Sequence, residues 1–403
     1  MQEAVMKLYE TDGHCAAFTA TVLSCEAAPD GTYEIVLDRT AFFPEGGGQS
    51  SDRGTLGGQP VLRLRTDAER SEVYHAVALP IAPGSQVEGR IDMEKRFSDM
   101  QNHTAEHIVS GTVHALYGYD NVGFHMGEEE ITMDFSGRLS TKQLAEIERQ
   151  ANRAVYADLP VEISFHEPGS LEGISYRSKK ELTSVVRLVE IKGVDRCACC
   201  APHVARTGEI GLIKLISAQN YKGGARVGML AGSRAFAELS HRFSQVKAVS
   251  ASLSANPDDL EASVARLQCE IGRLKAEKAA ARRDYYTLRA EQCVLEAGNA
   301  LIFEQDGSFE ELRTLVNLLT EKTLGICAVC APDPENAGAY RFVIGSRSAD
   351  LRPAAAFLRE TLGAACGGRR EMIQGTAKAA EETLKEAFKR LVSPELCGGA
   401  LTE

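Results

Sequence analysis

MQNHTAEHIVSG, residues 100–111, carries two histidines four positions apart, His103 and His107. It lies inside Met93 to Tyr117, a run with no proline and one internal glycine, Gly111, which predicts a helix. On a helix an i, i+4 pair projects from one face. A second pair, Cys199 and His203, stands in RCACCAPHV, residues 196–204. The apolar runs Ser184 to Ile191 and Ile210 to Ile216 flank it and read as strands, with Cys199 and His203 on the turn between them. Three neutral imidazoles and a thiolate form a tetrahedral donor set for a borderline ion such as Zn²⁺. An isolated HxxxH occurs by chance on many helices; the added Cys-x-x-x-His, with matching ligand chemistry, is what makes a metal site the expectation. His114, seven residues past His107, prolongs the stripe but is read as packed or solvated.

On the N-terminal side, Ala17–Leu23, Thr32–Leu37, Val61–Leu64 and Val73–Val77 read as short strands separated by Gly- and Pro-containing breaks, suggesting a small antiparallel β-barrel over residues 1–92. Within it FFPEGGGQSSDRG, residues 42–54, sets three glycines, Gly46, Gly47 and Gly48, before Gln49. Glycines there allow positive φ or close backbone approach to a ligand, though the Gly-Lys-Ser/Thr end of a phosphate loop is lacking.

On the C-terminal side, NVGFHMGEEEITMDF alternates like strands and contains His125. Ser140 and Gln143 make a capping box for a helix reaching Asp158, with Leu144, Ile147, Ala151, Ala154 and Val155 on one face and Pro160 ending it. YKGGARVGMLAG reads as a Gly-rich strand edge, and residues 93–245 together as an α+β domain. From 246 to 297, Leu253, Leu260, Val264, Leu267, Ile271 and Leu274 keep mostly 4,3 spacing, so a helical hairpin or coiled linker is expected, begun by Asn256, Pro257 and Asp258. Residues 298–403 alternate strand-like stretches (ALIFEQ, GICAVCAP, YRFVIGSRS) with helices at Phe309–Glu321, Pro353–Thr361 and Ala377–Leu391, a small α/β domain. Its Gly363–Ala377 stretch, GAACGGRREMIQGTA, reads as a loop able to receive phosphate. Cys327 and Cys330, on a predicted strand with no second ligand pair nearby, read as buried thiols.

The chain of 403 residues is 44% hydrophobic and 25% charged, a globular composition. No apolar run approaches a membrane span, no secretory leader is visible, and eleven unevenly spaced cysteines point to a reducing compartment, the cytoplasm. A net charge of −11 argues against non-specific polyanion binding but leaves room for local basic patches. Arg177 with Lys179 and Lys180, Arg282 with Arg283, and Arg369 with Arg370 are candidates, each equally a solvated face.

Taken together, FFPEGGGQSSDRG, NHTAEH, VGFHMGEEEITMDF and CCAPHV followed by TGEIG resemble alanyl-tRNA editing proteins, free-standing relatives of the editing domain of alanyl-tRNA synthetase. The resemblance runs from Thr19 to Arg234, and GGRREMIQG in the tail resembles the C-terminal domain of the same synthetase. It implies a long-form editing protein, with no room ahead of the barrel for an aminoacylation domain. It further implies hydrolysis of serine, and sometimes glycine, from tRNA(Ala), with His103, His107, Cys199 and His203 holding one zinc ion. Gly46, Gly47 and Gly48 would line the pocket for the charged tRNA end, and His125 or Gln49 would hold water or substrate. Where the family has Cys-Gly-Gly-Thr-His, this chain has Cys-Cys-Ala-Pro-His, so Cys200 offers a competing thiolate. Selecting serine over alanine requires a bond to its hydroxyl, for which Thr104 is a candidate. The partners expected are mischarged tRNA(Ala), a second copy of the chain through the helical linker or C-terminal domain, and no membrane. Nucleotide binding, of ATP included, is carried over from the synthetase. Two other classes fit the residues: a non-catalytic, zinc-stabilised tRNA-binding module, and a metallohydrolase of small esters or amides.

Overall fold

A computed structural model describes residues 5–67, 72–127, 130–167, 170–171, 173, 175–178 and 185–393. Its contacts divide the chain into two compact units, Met1–Val249 and Ser250–Glu403.

Beside a two-residue parallel pair, Met6–Lys7 with Arg39–Thr40, the first unit lays down seven strands: β1 (Ala17–Ala27), β2 (Tyr33–Leu37), β3 (Gly54–Leu56), β4 (Gln59–Pro60), β5 (Arg63–Asp67), β6 (Glu72–Val77) and β7 (Gln86–Ile91). They form one antiparallel sheet in the order β4-β3-β7-β1-β2-β6-β5. Strand β1 is long enough to pair with β7 along its first half and β2 along its second, with a register shift between Val22 and Ser24. A bulge of this kind bends a strand and sharpens its twist. The sheet curls so far that its two edges belong to one piece of chain: Val61 N–H donates to Gly54 O, and Leu62 N–H to Ala76 O. Alternation puts Phe18, Ala20 and Val22 inward, against Ile35, Leu37, Phe42, Val73 and Val87.

Helix α1 (Met93–Tyr117) follows, started by Asp92, whose side chain accepts from Lys95 N–H, and stopped by Gly118 at φ 68°. It is buried continuously from Asp99 to Val113, so its many polar side chains there need protein partners. Around it lie β8 (Asn121–Met126), β9 (Ile131–Phe135), α2 (Thr141–Tyr156), β10 (Val161–His166), β11 (Val186–Ile191), β12 (Asp195–Ala198), β13 (Ile213–Tyr221) and β14 (Gly224–Ala231). The strands make a sheet ordered β8-β9-β14-β13 and another ordered β10-β11-β12. Two expectations change here. The glycine-rich β14 is an inner strand rather than an edge, and a further strand, β12, stands between the runs thought to flank a simple turn. The start of the first of those runs, Ser184, lies outside the described residues. The capping box of α2 forms from both sides, Ser140 and Gln143.

Helix α3 (Gly232–Leu253) carries the boundary between the units, after Val249, and α4 (Leu260–Gln292) follows in the second. Val264, Leu267, Ile271 and Leu274 on α4 are 40% to 51% exposed, an apolar row left uncovered among the described residues. The rest of the unit is β15 (Ala300–Phe303), α5 (Phe309–Lys322), β16 (Cys327–Pro332), β17 (Tyr340–Gly345), α6 (Arg352–Leu362), β18 (Ala365–Arg369), β19 (Met372–Ala377) and α7 (Glu381–Leu391). Its sheet runs β15-β16-β17-β19-β18, with α5 packed on one face and α6 and α7 on the other. The stretch Gly363–Ala377 is therefore not a loop but the hairpin β18–β19: Gly368 pairs with Ile373, and alternate residues of β19 are buried. Its Ala377 ends a strand, and the helix expected from there starts at Glu381. No helix among the described residues is long and apolar enough to cross a membrane.

Candidate metal centre

The two sequence pairs converge. His103, His107, Cys199 and His203 each bring one donor atom to within 4.8 Å of the others. Cys199 Sγ is 3.6 Å from His103 Nε2 and 3.3 Å from His203 Nε2. Corners of a tetrahedron with bonds of about 2.0 to 2.3 Å are about 3.5 Å apart, so both donor set and spacing fit a metal ion. Burial pushes the Cys199 thiol up, but His103 and His203 outweigh it and hold the sulfur well below its ordinary range, toward thiolate. Burial also keeps His203 neutral, the form that ligates.

Each ring is held from behind by a different group. His103 Nδ1 donates to Gln49 Oε1 at 2.8 Å; a carbonyl only accepts, so Nε2 keeps its lone pair toward the cluster. His107 Nδ1 lies 3.2 Å from Asp195 Oδ2, though off the line of a good hydrogen bond. Asp195 is gripped by Arg177 through two N–H donors at 2.6 and 2.7 Å. Burial raises the Asp195 carboxyl, yet Arg177 and His107 more than reverse this and lower it to about 2. Asp195, Cys197 and His107 also form a close trio, but the guanidinium on Asp195 already supplies the cation, which makes Asp195 a partner of His107 and not a second ligand site. His203 Nδ1 is 3.0 Å from Thr104 Oγ1, which itself donates to Met100 O at 2.8 Å and accepts from Val204 N–H at 3.3 Å.

The glycines place Gln49. Gly46 and Gln49 exchange backbone hydrogen bonds of 3.1 and 3.0 Å, with Gly47 at φ 62° and Gly48 at φ 86° between them. That is a two-residue turn with both central residues in the left-handed region, which glycine enters without strain. Gln49 is 1% exposed; its Oε1 is taken by His103, and its Nε2 donates to no acceptor among the described residues. Asp52 anchors the loop: Arg96 on α1 pairs with it in the core and also donates to Gly13 O and Ala41 O. Cys200 stands at this turn, its Sγ 3.6 Å from where a Cβ on Gly46 would be, and is not among the four converging donors. Arg187 on β11 fixes the ligand loop, donating to Cys199 O at 2.7 Å and Ala201 O at 3.0 Å.

His125 is not brought to this cluster. In β8, Phe124 pairs with Met133 and Met126 with Ile131, all facing the core, so alternation turns His125 outward, where it is exposed. Phe124 is the residue of that motif that reaches the site, its ring 5.1 Å from that of His103. The hydroxyl of Thr104 is fully engaged by Met100, His203 and Val204. His114 is exposed and paired with Asp120 at 3.0 Å. Sequence reasoning missed Asp195, Asp52, Arg96 and Arg187. Asp195 had a faint signal: two positions before Cys197 on a strand, it shares that residue's face. Arg177 was visible only as a basic patch, and its companions Lys179 and Lys180 lie outside the described residues.

Comparison with known proteins gives a consistent direction. The family described as "Threonyl and Alanyl tRNA synthetase second additional domain" matches residues 186–228, which include Cys199 and His203. The alanyl-tRNA editing protein Aarsd1 of Rattus norvegicus is 28% identical over 92% of this chain and 93% of its own. The alanine–tRNA ligase of Methanopyrus kandleri is 34% identical over 60% of this chain and 29% of its own. The crystal structure of the C-Ala domain from Aquifex aeolicus alanyl-tRNA synthetase aligns at 29% identity over 25% of this chain and 89% of its own, with a TM-score of 0.20.

Proposed function

The chain belongs with the alanyl-tRNA editing proteins, and from that premise we propose that it hydrolyses the ester of mischarged tRNA(Ala), chiefly seryl-tRNA(Ala) and secondarily glycyl-tRNA(Ala). The observation that carries this is the pairing of a converged His–His–Cys–His set with a buried, undirected amide N–H on Gln49.

Zn²⁺ suits three imidazoles and a thiolate, and bound there it supplies a fixed positive charge to the pocket. The chain's own groups do the rest. Gly47 lets the sugar of the terminal nucleotide come close to backbone, while Gly48 makes room for Phe124, which would lie 2.7 Å from a Cβ there. Gln49, oriented by His103, turns Nε2 toward the ester and donates to its carbonyl oxygen as negative charge develops there. Phe124, against His103, keeps water from that side of the ring. Thr104 is assigned to positioning His203, because taking a serine hydroxyl would cost it one of three existing partners. The protein works in the reducing cytoplasm, where Cys199 stays a thiolate. Two copies pair through the uncovered apolar row of α4, to be tested by its solution mass.

A second reading, a zinc-stabilised module that grips tRNA without catalysis, is favoured by one feature: four protein ligands close a tetrahedral site. A single experiment divides them. Metal-loaded protein is incubated with seryl-tRNA(Ala), with and without chelator and as the Gln49→Ala variant. Editing predicts hydrolysis that chelation abolishes and that Gln49→Ala lowers about 10²- to 10³-fold with metal content retained. Tight binding with no release of serine would establish the second reading instead.

A further inference from the structure

Beside the metal cluster the first unit holds a cleft of about 730 Å³, whose lining includes Gly111, Val122, Tyr176, Asp195 and Arg196. We propose that this cleft receives the base of the nucleotide next to the charged terminal one in the single-stranded acceptor end. The proposal rests on the deacylation reading above.

Three observations point there. The first is position: Gly111 is one turn of α1 beyond His107, about 6 Å along the axis at 1.5 Å per residue. Asp195 ties the two together, lining the cleft while contacting His107. Gly111 is needed for this arrangement, since a Cβ there would lie 2.4 Å from Val194 O and 2.8 Å from Asp195 Cβ. The helix could then no longer lie against the strand that floors the cleft.

The second is charge. The Arg, Asp and His side chains of the lining are already paired: Arg177 with Asp195, Arg196 with Glu190 at 2.6 Å, and His114 with Asp120 at 3.0 Å. Among the described residues of the lining a phosphate or a free carboxylate finds no spare cation, and a metal ion no spare carboxylate. A flat, neutral group rich in edge donors and acceptors matches better, and a nucleobase is such a group.

The third is surface. The ring of Tyr176 and the side chain of Val122, 67% exposed, give apolar walls for a base face, while Ser175 and Asn121 provide polar edges. Aromatic stacking is how proteins hold single-stranded nucleic acid without reading duplex grooves. The volume falls in the range of small-molecule sites, about 300 to 1,000 Å³.

The test compares two substrates, seryl-tRNA(Ala) and seryl-adenosine, which lacks every nucleotide but the last. Tyr176→Ala should raise KM for the tRNA about tenfold with kcat unchanged, and leave seryl-adenosine hydrolysis as in the parent protein. Val122→Asp, at a position 67% exposed, should act in the same direction. Equal effects on both substrates, or no effect on either, would overturn the assignment. Failure of the parent protein to hydrolyse either ester would instead strike at the editing reading, which keeps the two outcomes apart.

Discussion

Cys199 and His203 are four residues apart and their donor atoms lie 3.3 Å from each other; Cys327 and Cys330 are three apart and face opposite sides of a sheet. Cys327 packs with Leu312 and Leu315 beneath α5, while Cys330 packs with Leu358 and Leu384 beneath α6 and α7. Burial, with a smaller push from Cys293 on Cys327 and from Glu381 on Cys330, raises both thiols to about 12, so they remain neutral, apolar groups. At Cys199 the same burial is outweighed by imidazoles. Ligand spacing thus means little until the backbone between the ligands is known. An irregular loop clamped by Arg187 folds four residues into one corner, whereas a strand sends residues three apart to opposite cores.

The largest expected effect comes from breaking that contrast directly. Cys199→Ala should lose bound zinc and all seryl-tRNA(Ala) hydrolysis, more than the 10- to 100-fold typical of removing an outer partner. Elemental analysis and a deacylation assay check it, and a variant that retained its zinc would remove Cys199 from the ligand set. Cys330→Ala in the same assays should keep both.

Histidines obey the same distinction. His75 is fully buried and satisfied by Ile35 O and Thr40 Oγ1, with burial lowering it to about 4. The unfolded chain takes up this proton near pH 6.5 and the folded chain only near pH 4. Its stabilisation is therefore complete above pH 6.5 and is lost as pH falls from there to 4, about 3 kcal/mol in all. Urea unfolding of the parent and of His75→Gln across that window should show a shallower pH dependence in the variant; identical slopes would contradict it.

Smaller again is the effect of the outer partner. Asp195→Asn keeps shape but weakens the hold on His107, and zinc affinity in chelator competition should drop about 10- to 100-fold. Unaltered affinity would mean that His107 needs no carboxylate behind it. Smallest is the stability cost of Cys330→Ala, about 1 kcal/mol by thermal unfolding, as for an ordinary buried substitution.

His103 and His107 were legible because helix geometry fixes where i, i+4 side chains point, Cys199 and His203 only as donor types at a suggestive spacing, and α2 because its capping box is a local chemical signal. The supports of the site were not. Asp195 and Arg177 meet across 18 positions, and Gln49 reaches His103 across 54, distances over which only tertiary packing decides. The outward face of His125 was not legible, because a polar residue in a motif carries no label for which side of its strand it occupies. The hairpin at Gly363–Ala377 hid behind its glycines and arginines, whose low strand propensity is overridden by pairing with β17.

The curled sheet has a consequence for the protein's life in a crowded solution. Strand-rich segments usually expose a row of unsatisfied amides on which a neighbouring chain can nucleate. Here the two edge strands are short and carry Pro60 on β4 and Arg63, Arg65 and Asp67 on β5, residues that withdraw that invitation. Replacing Arg63 and Arg65 with valine would restore it, leaving a bare apolar edge as a template for association.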